Sequence, residues 1–427
     1  MRENKRLYST MTDIIPKNTG KMAKNIKKIE LLAPAGNMEK LITAFHFGAD
    51  AVYLAGKRYG LRAFADNFTD EEIAEAVKYA HSLNKKVYVT LNIFASNYDF
   101  DDLADYLAVL EQAQVDAVLV SDVGVFDFVR THSKLAIHIS TQANTTNKYA
   151  VDFWQRMGAE RVVLAREVPL KQIAEISAHC PKVQLEAFVH GAMCVSYSGR
   201  CLMSNYLTNR NSNRGECVQA CRWQWEVREV SREDSMPVME DERGTYIFNS
   251  KDMNMLAHLP ELIDAGIVSL KIEGRMKSAF YVATVTAAYR RALDAIASGS
   301  FTSELIEQLN AELNKASHRE YTTGFYFDEQ ESRQYYPSSK AVEEYKFVAV
   351  VKEVKGGQAV IEQRNKFVVG ETLEVLSATS DSGKTFTVEY AKDDKGNSVD
   401  ICNKVKQILT INCPFRLTAG DIFRKKQ

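Results

Sequence analysis

From Ile29 onward, short apolar runs ending in polar residues alternate with stretches whose apolar residues recur at helical spacing. The runs are IELLA (29–33), AVYLA (51–55), KVYVTLN (86–92), AVLVS (117–121), AIHIS (136–140), RVVLA (161–165), VQLEAF (183–188) and VSLKIE (268–273). Between them the spacing predicts helices, among them Met38–Phe47, Asp70–Leu83, Asp101–Gln112, Lys148–Met157 and Leu170–Ala178. Strands alternating with helices imply an α/β protein with a parallel sheet and helices outside, and eight such units imply closure into a TIM-like (β/α)8 barrel. An open doubly wound sheet is the alternative. It lacks support because no G-x-G-x-x-G follows the first strand, where only APAGN stands.

Residues 278–317 read as two helices, of which YVATVTAAYRRALDAI is the clearer, and 318–345 as an irregular connection. After Tyr345 the period changes. KFVAVVKEV, QAVIEQ, ETLEVL, TFTVEYA, QILTI and IFRKK alternate like strands and are separated by GG, SDSG, DDKGN and TAG, the pattern of a small antiparallel β-barrel. The expected organisation is a disordered polar tail over 1–28 and a (β/α)8-like catalytic domain over 29–300, with an insertion at 189–267. A connector over 301–345 and a C-terminal β-barrel domain over 346–427 complete it.

At 427 residues the chain exceeds one ordinary core, in keeping with two domains. No apolar run is long enough to span a bilayer and the first residues lack the apolar core of a signal peptide, so a cytoplasmic protein with no membrane partner is expected. A net charge of -1 gives no global attraction to nucleic acid, so RNA contact requires local patches. Lys17, Lys21, Lys24, Lys27 and Lys28 form one basic run, although such runs are by default solvated surface. Arg200, Arg210, Arg214 and Arg222 form another, interleaved with Tyr197, Tyr206 and Trp223, the pairing that holds unstacked bases.

Four of the seven cysteines fall in one stretch with the spacing Cys194-x6-Cys201-x15-Cys217-x3-Cys221. That stretch is rich in Ser, Asn, Gly and Arg and cannot fold on a core of its own, so something must hold it. Four thiolates suit a tetrahedral zinc or an iron-sulfur cluster. The spacing departs from the paired C-x2-C knuckles of most structural zinc sites, which favours iron-sulfur and leaves zinc open. Disulfides are disfavoured by the odd cysteine count, and inert cysteines rarely cluster in a polar loop. Cys180, Cys402 and Cys413 read as ordinary structural residues.

In a barrel of this kind the carboxyl ends of the strands form the active face. The residues following the runs are Arg62, Asn92, Asp122, Gln142, Arg166, Glu186, Lys271, Glu273 and Arg275, with His138 and His190 nearby. Each alone is more often a structural hydrogen-bond or ion-pair partner. Four converging cations favour a substrate carrying carboxylate or phosphate. The long connection after the seventh run includes WQWEVREV and TYIFNSKD, which alternate like a hairpin.

The residues Glu186, Phe188, Gly191, Cys194, Gly199, Cys201 and Ser204 resemble the E-x-F-x2-G-x2-C-x4-G-x-C-x2-S signature of the collagenase-like peptidase U-32 family. APAG (33–36), GADAVYLAG (48–56), LRAFADNF (61–68), FNSKDMNML (248–256) and KIEGRMKS (271–278) are similar to its tRNA-hydroxylating branch. The resemblance implies a tRNA-modifying enzyme that converts the wobble uridine to 5-hydroxyuridine with prephenate as co-substrate. It also implies a 4Fe-4S cluster on Cys194, Cys201, Cys217 and Cys221. Prephenate is a dicarboxylate, which would give the cationic mouth a purpose. Arg62, Arg166, Lys271 or Arg275 are then the candidate carboxylate clamps, and Gln142 or Asn92 the candidate base-edge partners. The family name carries a peptidase as the alternative, although neither H-E-x-x-H nor G-x-S-x-G is present. A zinc-stabilised RNA-binding scaffold without catalysis is a third reading.

Overall fold

The computed structural model describes residues 29–60, 66–194, 196–208, 210, 216–223, 240–241, 244–245, 250–327, 342–379 and 381–427. The basic run at 17–28, Arg62, Arg214, most of WQWEVREV and residues 246–249 of TYIFNSKD lie outside them.

Strands β1 (Glu30–Pro34), β2 (Ala51–Leu54), β3 (Lys86–Leu91), β4 (Ala117–Val120), β5 (Ile137–Ile139), β6 (Arg161–Val163) and β7 (Gln184–Ala192) run parallel in sequence order. A short strand β8 (Asp252–Asn254) intervenes before β9 (Ile267–Ile272). Strand β9 pairs in parallel with both ends of the sheet, Ser269 opposite Glu30 and Lys271 opposite Phe188. The expected eight-stranded barrel therefore closes, and the open-sheet alternative falls.

Helices α1 (Met38–His46), α2 (Asp70–Ser82), α3 (Leu103–Gln112), α4 (Val123–His132), α5 (Lys148–Met157) and α6 (Leu170–His179) connect successive strands. The starts of several are written in the sequence. Asn37, Thr69, Asp122 and Asn147 each accept a hydrogen bond from a first-turn backbone amide, and Thr69 with Glu72 forms a full capping box. Asp122 caps α4, its Oδ1 3.0 Å from the Val125 amide, and is not among the residues lining the mouth cavity.

The space between sheet and helices is apolar, whereas the lumen of the barrel is polar. Glu30, Tyr88, His138, Arg161, Glu186, Ser269 and Lys271 fill it, linked by ion pairs and hydrogen bonds. Strand β7 continues beyond the barrel and pairs antiparallel with β8, His190 opposite Asn254, with β10 (Tyr321–Thr322) alongside. After α7 (Met203–Thr208) and α8 (Leu259–Asp264), the long α9 (Ala279–Ser298) and α10 (Ser303–Leu313) pack against the outside.

The C-terminal unit contains β11 (Tyr345–Lys355), β12 (Gln358–Gln363), β13 (Phe367–Val368), β14 (Thr372–Leu376), β15 (Thr385–Thr387), β16 (Ala391–Lys392), β17 (Ile401–Cys402), β18 (Ile408–Asn412) and β19 (Ile422–Lys426). Seven of these form one curled antiparallel sheet in the order β15-β14-β19-β11-β12-β18-β16, and β13 pairs with β17. Val348, Val351, Ile361, Phe367, Val375 and Phe423 lie in its own core, as a small β-barrel requires. It docks on the barrel through Phe47, Phe280, Ala283, Ala287, Leu376 and Ile422. The buried Arg424 reinforces this contact, reaching Glu374 in its own unit and Glu312 on α10. No helix among the described residues is long and apolar enough to cross a membrane.

Candidate functional site

Two adjoining cavities open at the carboxyl end of the barrel. The first is the barrel mouth. Of the residues expected there, Asn92, Gln142, Arg166, Lys271, Glu273 and Arg275 line it. Asn92 donates from Nδ2 to Ser140 Oγ at 3.2 Å, and Gln142 sits on the helical turn Thr141–Ala143 that follows β5. The Arg166 guanidinium carbon lies over the Phe188 ring, 3.9 Å from its centroid. The buried Arg275 guanidinium donates to Thr90 Oγ1 at 3.4 Å.

Glu186 is placed differently from the expectation. Strand β7 runs to Ala192, so Glu186 lies inside the barrel and not at the end of its strand. It is fully buried and receives Lys271 Nζ at 2.7 Å, Arg161 Nη1 at 3.1 Å and Ser269 Oγ at 3.1 Å. Burial alone would raise the Glu186 carboxyl, but Lys271 and Arg161 outweigh it and hold it down at about 2. Burial in turn draws the Lys271 ammonium below the usual lysine range, opposed by the Glu186 carboxylate. Lys271 spans floor and mouth, its Nζ 4.5 Å from the centroid of Tyr53.

The two histidines do not reach the mouth. His138 is enclosed in the lumen against Tyr88, and burial, with Arg161 beside it, lowers it to about 3. His190 lies among Tyr281, Tyr289 and Tyr321 and is lowered to about 3, first by burial and then by His318 and Lys277. Both are neutral near pH 7.

Sequence reasoning missed Tyr53 and Thr90, which also line the mouth. Tyr53 donates to the Ile272 carbonyl at 3.0 Å and to Glu273 Oε2 at 3.3 Å. Their signal was the strand period of two, which turns alternate residues of AVYLA and KVYVTLN toward the lumen.

The second cavity is lined by Cys194, Cys201, Cys217 and Cys221 together. Cys194 and Cys221 stand 27 positions apart in the chain, and the four converge on one cavity because the loop is tied down at two places. Ser198 reaches Glu167 and Thr141 on the barrel. Ser204, buried at the start of α7, accepts from the Val218 amide at 3.2 Å and so joins the Cys201 arm to the Cys217 arm. Gly199 has φ +74°, and a Cβ there would stand 2.4 Å from the Gln142 carbonyl oxygen, so the backbone rests directly on the barrel rim. Gln142, Arg166 and Glu273 line both cavities. Four soft sulfur donors line this one cavity, a donor set whose chemistry suits iron-sulfur ligation.

Another donor set lies outside the barrel, where ligand atoms of Asp152, His179 and Cys180 are within 4.8 Å of one another. Asp152 is already paired with Arg156 at 2.9 Å there.

Residues 36–335 match the profile of peptidase family U32, and residues 343–424 match its C-terminal domain. The tRNA hydroxylation protein P1 of Bacillus subtilis is 38% identical over 93% of this chain and 95% of its own length. The 23S rRNA 5-hydroxycytidine synthase of Escherichia coli is 38% identical over 63% of this chain and 40% of its own. A collagenase of Porphyromonas gingivalis is 32% identical over 71% of this chain and 74% of its own. With both units matched in order and relatives aligned along most of its length, the chain belongs to peptidase family U32.

Proposed function

We propose that this protein is an RNA hydroxylase whose substrate is tRNA, converting the wobble uridine to 5-hydroxyuridine with prephenate as co-substrate. The observation that carries the reading is the junction of the two cavities, where Gln142, Arg166 and Glu273 face both the four cysteines and the cationic barrel mouth. The names of relatives that hydroxylate tRNA and rRNA support the reaction class.

Cys194, Cys201, Cys217 and Cys221 would hold a 4Fe-4S cluster, whose chemistry when bound is electron transfer. The mouth supplies the rest. Arg166, Lys271 and Arg275 offer cations to a dicarboxylate, with Arg166 and Arg275 suited to two-pronged contacts. Glu186 keeps Lys271 in place from behind. Gln142 and Asn92 carry amides able to read the edge of a base. Lys271 and Arg275 are themselves buried, which strengthens their pull on a charge placed beside them.

The name of the Porphyromonas gingivalis relative favours a second reading, a peptidase. Against it, no histidine is among the described residues lining either cavity, so no imidazole base stands ready for a nucleophile. The test is nucleoside analysis of tRNA from a deletion strain, complemented with wild type or Cys217→Ala. The expected result is loss of 5-hydroxyuridine, restored by wild type alone. Retained 5-hydroxyuridine in the deletion strain would refute the assignment, and gelatin turnover by the purified iron-loaded protein would replace it with the peptidase.

A further inference from the structure

Several large exposed apolar side chains lie on the face that holds the two cavities. Tyr98 lies in the connection after β3, Val123 opens α4 just after β4, Tyr197, Leu207 and Trp223 lie on the cysteine loop, and Met276 follows β9. Tyr98 is 86% exposed, Tyr197 60% and Trp223 40%, so these rings present themselves to a partner.

The two halves of this face differ in charge. Around Tyr98 and Val123 stand Asp99, Asp101, Asp102 and Asp122, with Asp101 and Asp102 exposed. Arg200, its amide bonded to the Tyr197 carbonyl, and Arg210, its amide bonded to the Ser204 carbonyl, are exposed on the same loop as Tyr197 and Trp223, and Arg166 and Lys277 line the adjoining cavity. The carboxylates of that second half are largely engaged inside the protein, Glu167 by Ser198 and Glu273 by Tyr53, while Glu216 is half-buried.

Resting on the hydroxylase reading, we propose that the RNA strand crosses only the cysteine-loop half. Its bases stack on Tyr197 and Trp223, its phosphates run beside Arg200 and Arg210, and the acidic half around Tyr98 keeps the strand off. Aromatic faces hold any base, so they anchor nucleotides flanking the target without reading them, while arginines neutralise the backbone. The aspartates repel the same phosphates. Tyr197 also lines the cysteine cavity, so a strand anchored there passes the junction at Gln142 and Arg166.

The experiment measures binding of a labelled tRNA anticodon stem-loop to iron-loaded protein, comparing variants at equal iron content. Tyr197→Ala and Trp223→Ala each weaken binding roughly tenfold or more, and Tyr197→Phe, which keeps the ring, does not. Arg200→Ala lowers the slope of log affinity against log salt by about one, and Tyr98→Ala leaves binding unchanged. Wild-type protein that binds no RNA would overturn this surface and the hydroxylase reading together. Tight RNA binding that survives both alanine variants, or that Tyr98→Ala weakens, would overturn the surface and leave the hydroxylase reading standing. Loss of self-association in those variants with RNA affinity intact would reassign the face to a protein contact.

Discussion

Lys271 Nζ and Glu186 Oε1 meet at 2.7 Å inside the barrel, where both residues are almost wholly buried. A buried pair adds little net stability compared with apolar packing, but breaking one side strands the other charge. Glu186→Gln leaves both Lys271 and Arg161 without their shared carboxylate, although Glu30 still supports Arg161. The expected cost is about 3–5 kcal/mol, read from urea unfolding. Adding Lys271→Met should recover more than half of it, because the stranded ammonium is then gone. A cost for Glu186→Gln below about 1 kcal/mol would mean that water reaches the pair.

Stability should also fall on acidification before any carboxylate is titrated. His138 and His190 are both lowered to about 3 by burial, and His138 Nδ1 has no hydrogen-bond partner among the described residues. An unfolded imidazole takes its proton near pH 6.5. Between the two values the unfolded chain binds more protons, so the stability present above pH 6.5 drains away as pH falls toward 3. Each histidine gives a slope of about 1.4 kcal/mol per pH unit, and the two together roughly 3. Glu186, held down at about 2, adds its own loss once pH drops below the ordinary glutamate range. Urea midpoints from pH 7 to 4.5 measure the slope, and His138→Gln should halve it. A flat profile over that range would show that neither imidazole is shielded.

Much of this was legible in the chain. The apolar runs gave all eight barrel strands, most to within two residues at each end, because the face turned to the helices must be apolar and polar residues such as Glu30, Arg161 and Glu186 are confined to lumen positions. The exception is VQLEAF, whose strand extends four residues further through His190 to Ala192 and carries Glu186 inward. Nothing local marks that extension. It exists because Asp252–Asn254, some sixty residues away, supplies a pairing partner beyond the barrel. The cap of helix α4, Asp122, stands in the chain, but a capping aspartate and a catalytic one look alike in sequence. The convergence of the four cysteines depends on Ser198 and Ser204, whose bonds to Glu167, Thr141 and Val218 are tertiary.

Arg424 tests the contact between the two units. It is fully buried, paired with Glu374 of its own sheet and with Glu312 of α10, and these carboxylates also share Lys315. Burial works against the Glu312 carboxyl, but Arg424 and Lys315 hold it below the usual range. Arg424→Met removes the guanidinium from between two carboxylates and leaves Lys315 as their remaining shared cation. A loss of about 3–5 kcal/mol is expected, with the C-terminal unit released first in hydrogen exchange. Uniform exchange across both units would show instead that they unfold as one.

Gly199 separates the seating of the cysteine loop from simple backbone strain. Its φ of +74° disfavours any side chain, and a Cβ would also press against the Gln142 carbonyl oxygen at 2.4 Å. Gly158 provides the comparison, with φ +97° but nothing within 4 Å of a Cβ. Gly158→Ala therefore costs strain alone, of order 1 kcal/mol, and leaves the loop where it is. Gly199→Ala must push the loop away from the rim, taking with it Ser198 and the arms that carry Cys194 and Cys201. On the proposal that these cysteines hold a cluster, protein purified without oxygen should keep its iron and acid-labile sulfide in Gly158→Ala and lose most of both in Gly199→Ala. Its visible absorbance should fall in parallel. Full iron in Gly199→Ala would show that the cysteines assemble their metal without being braced on Gln142, and the junction of the two cavities would then lose its claim to be the reacting centre.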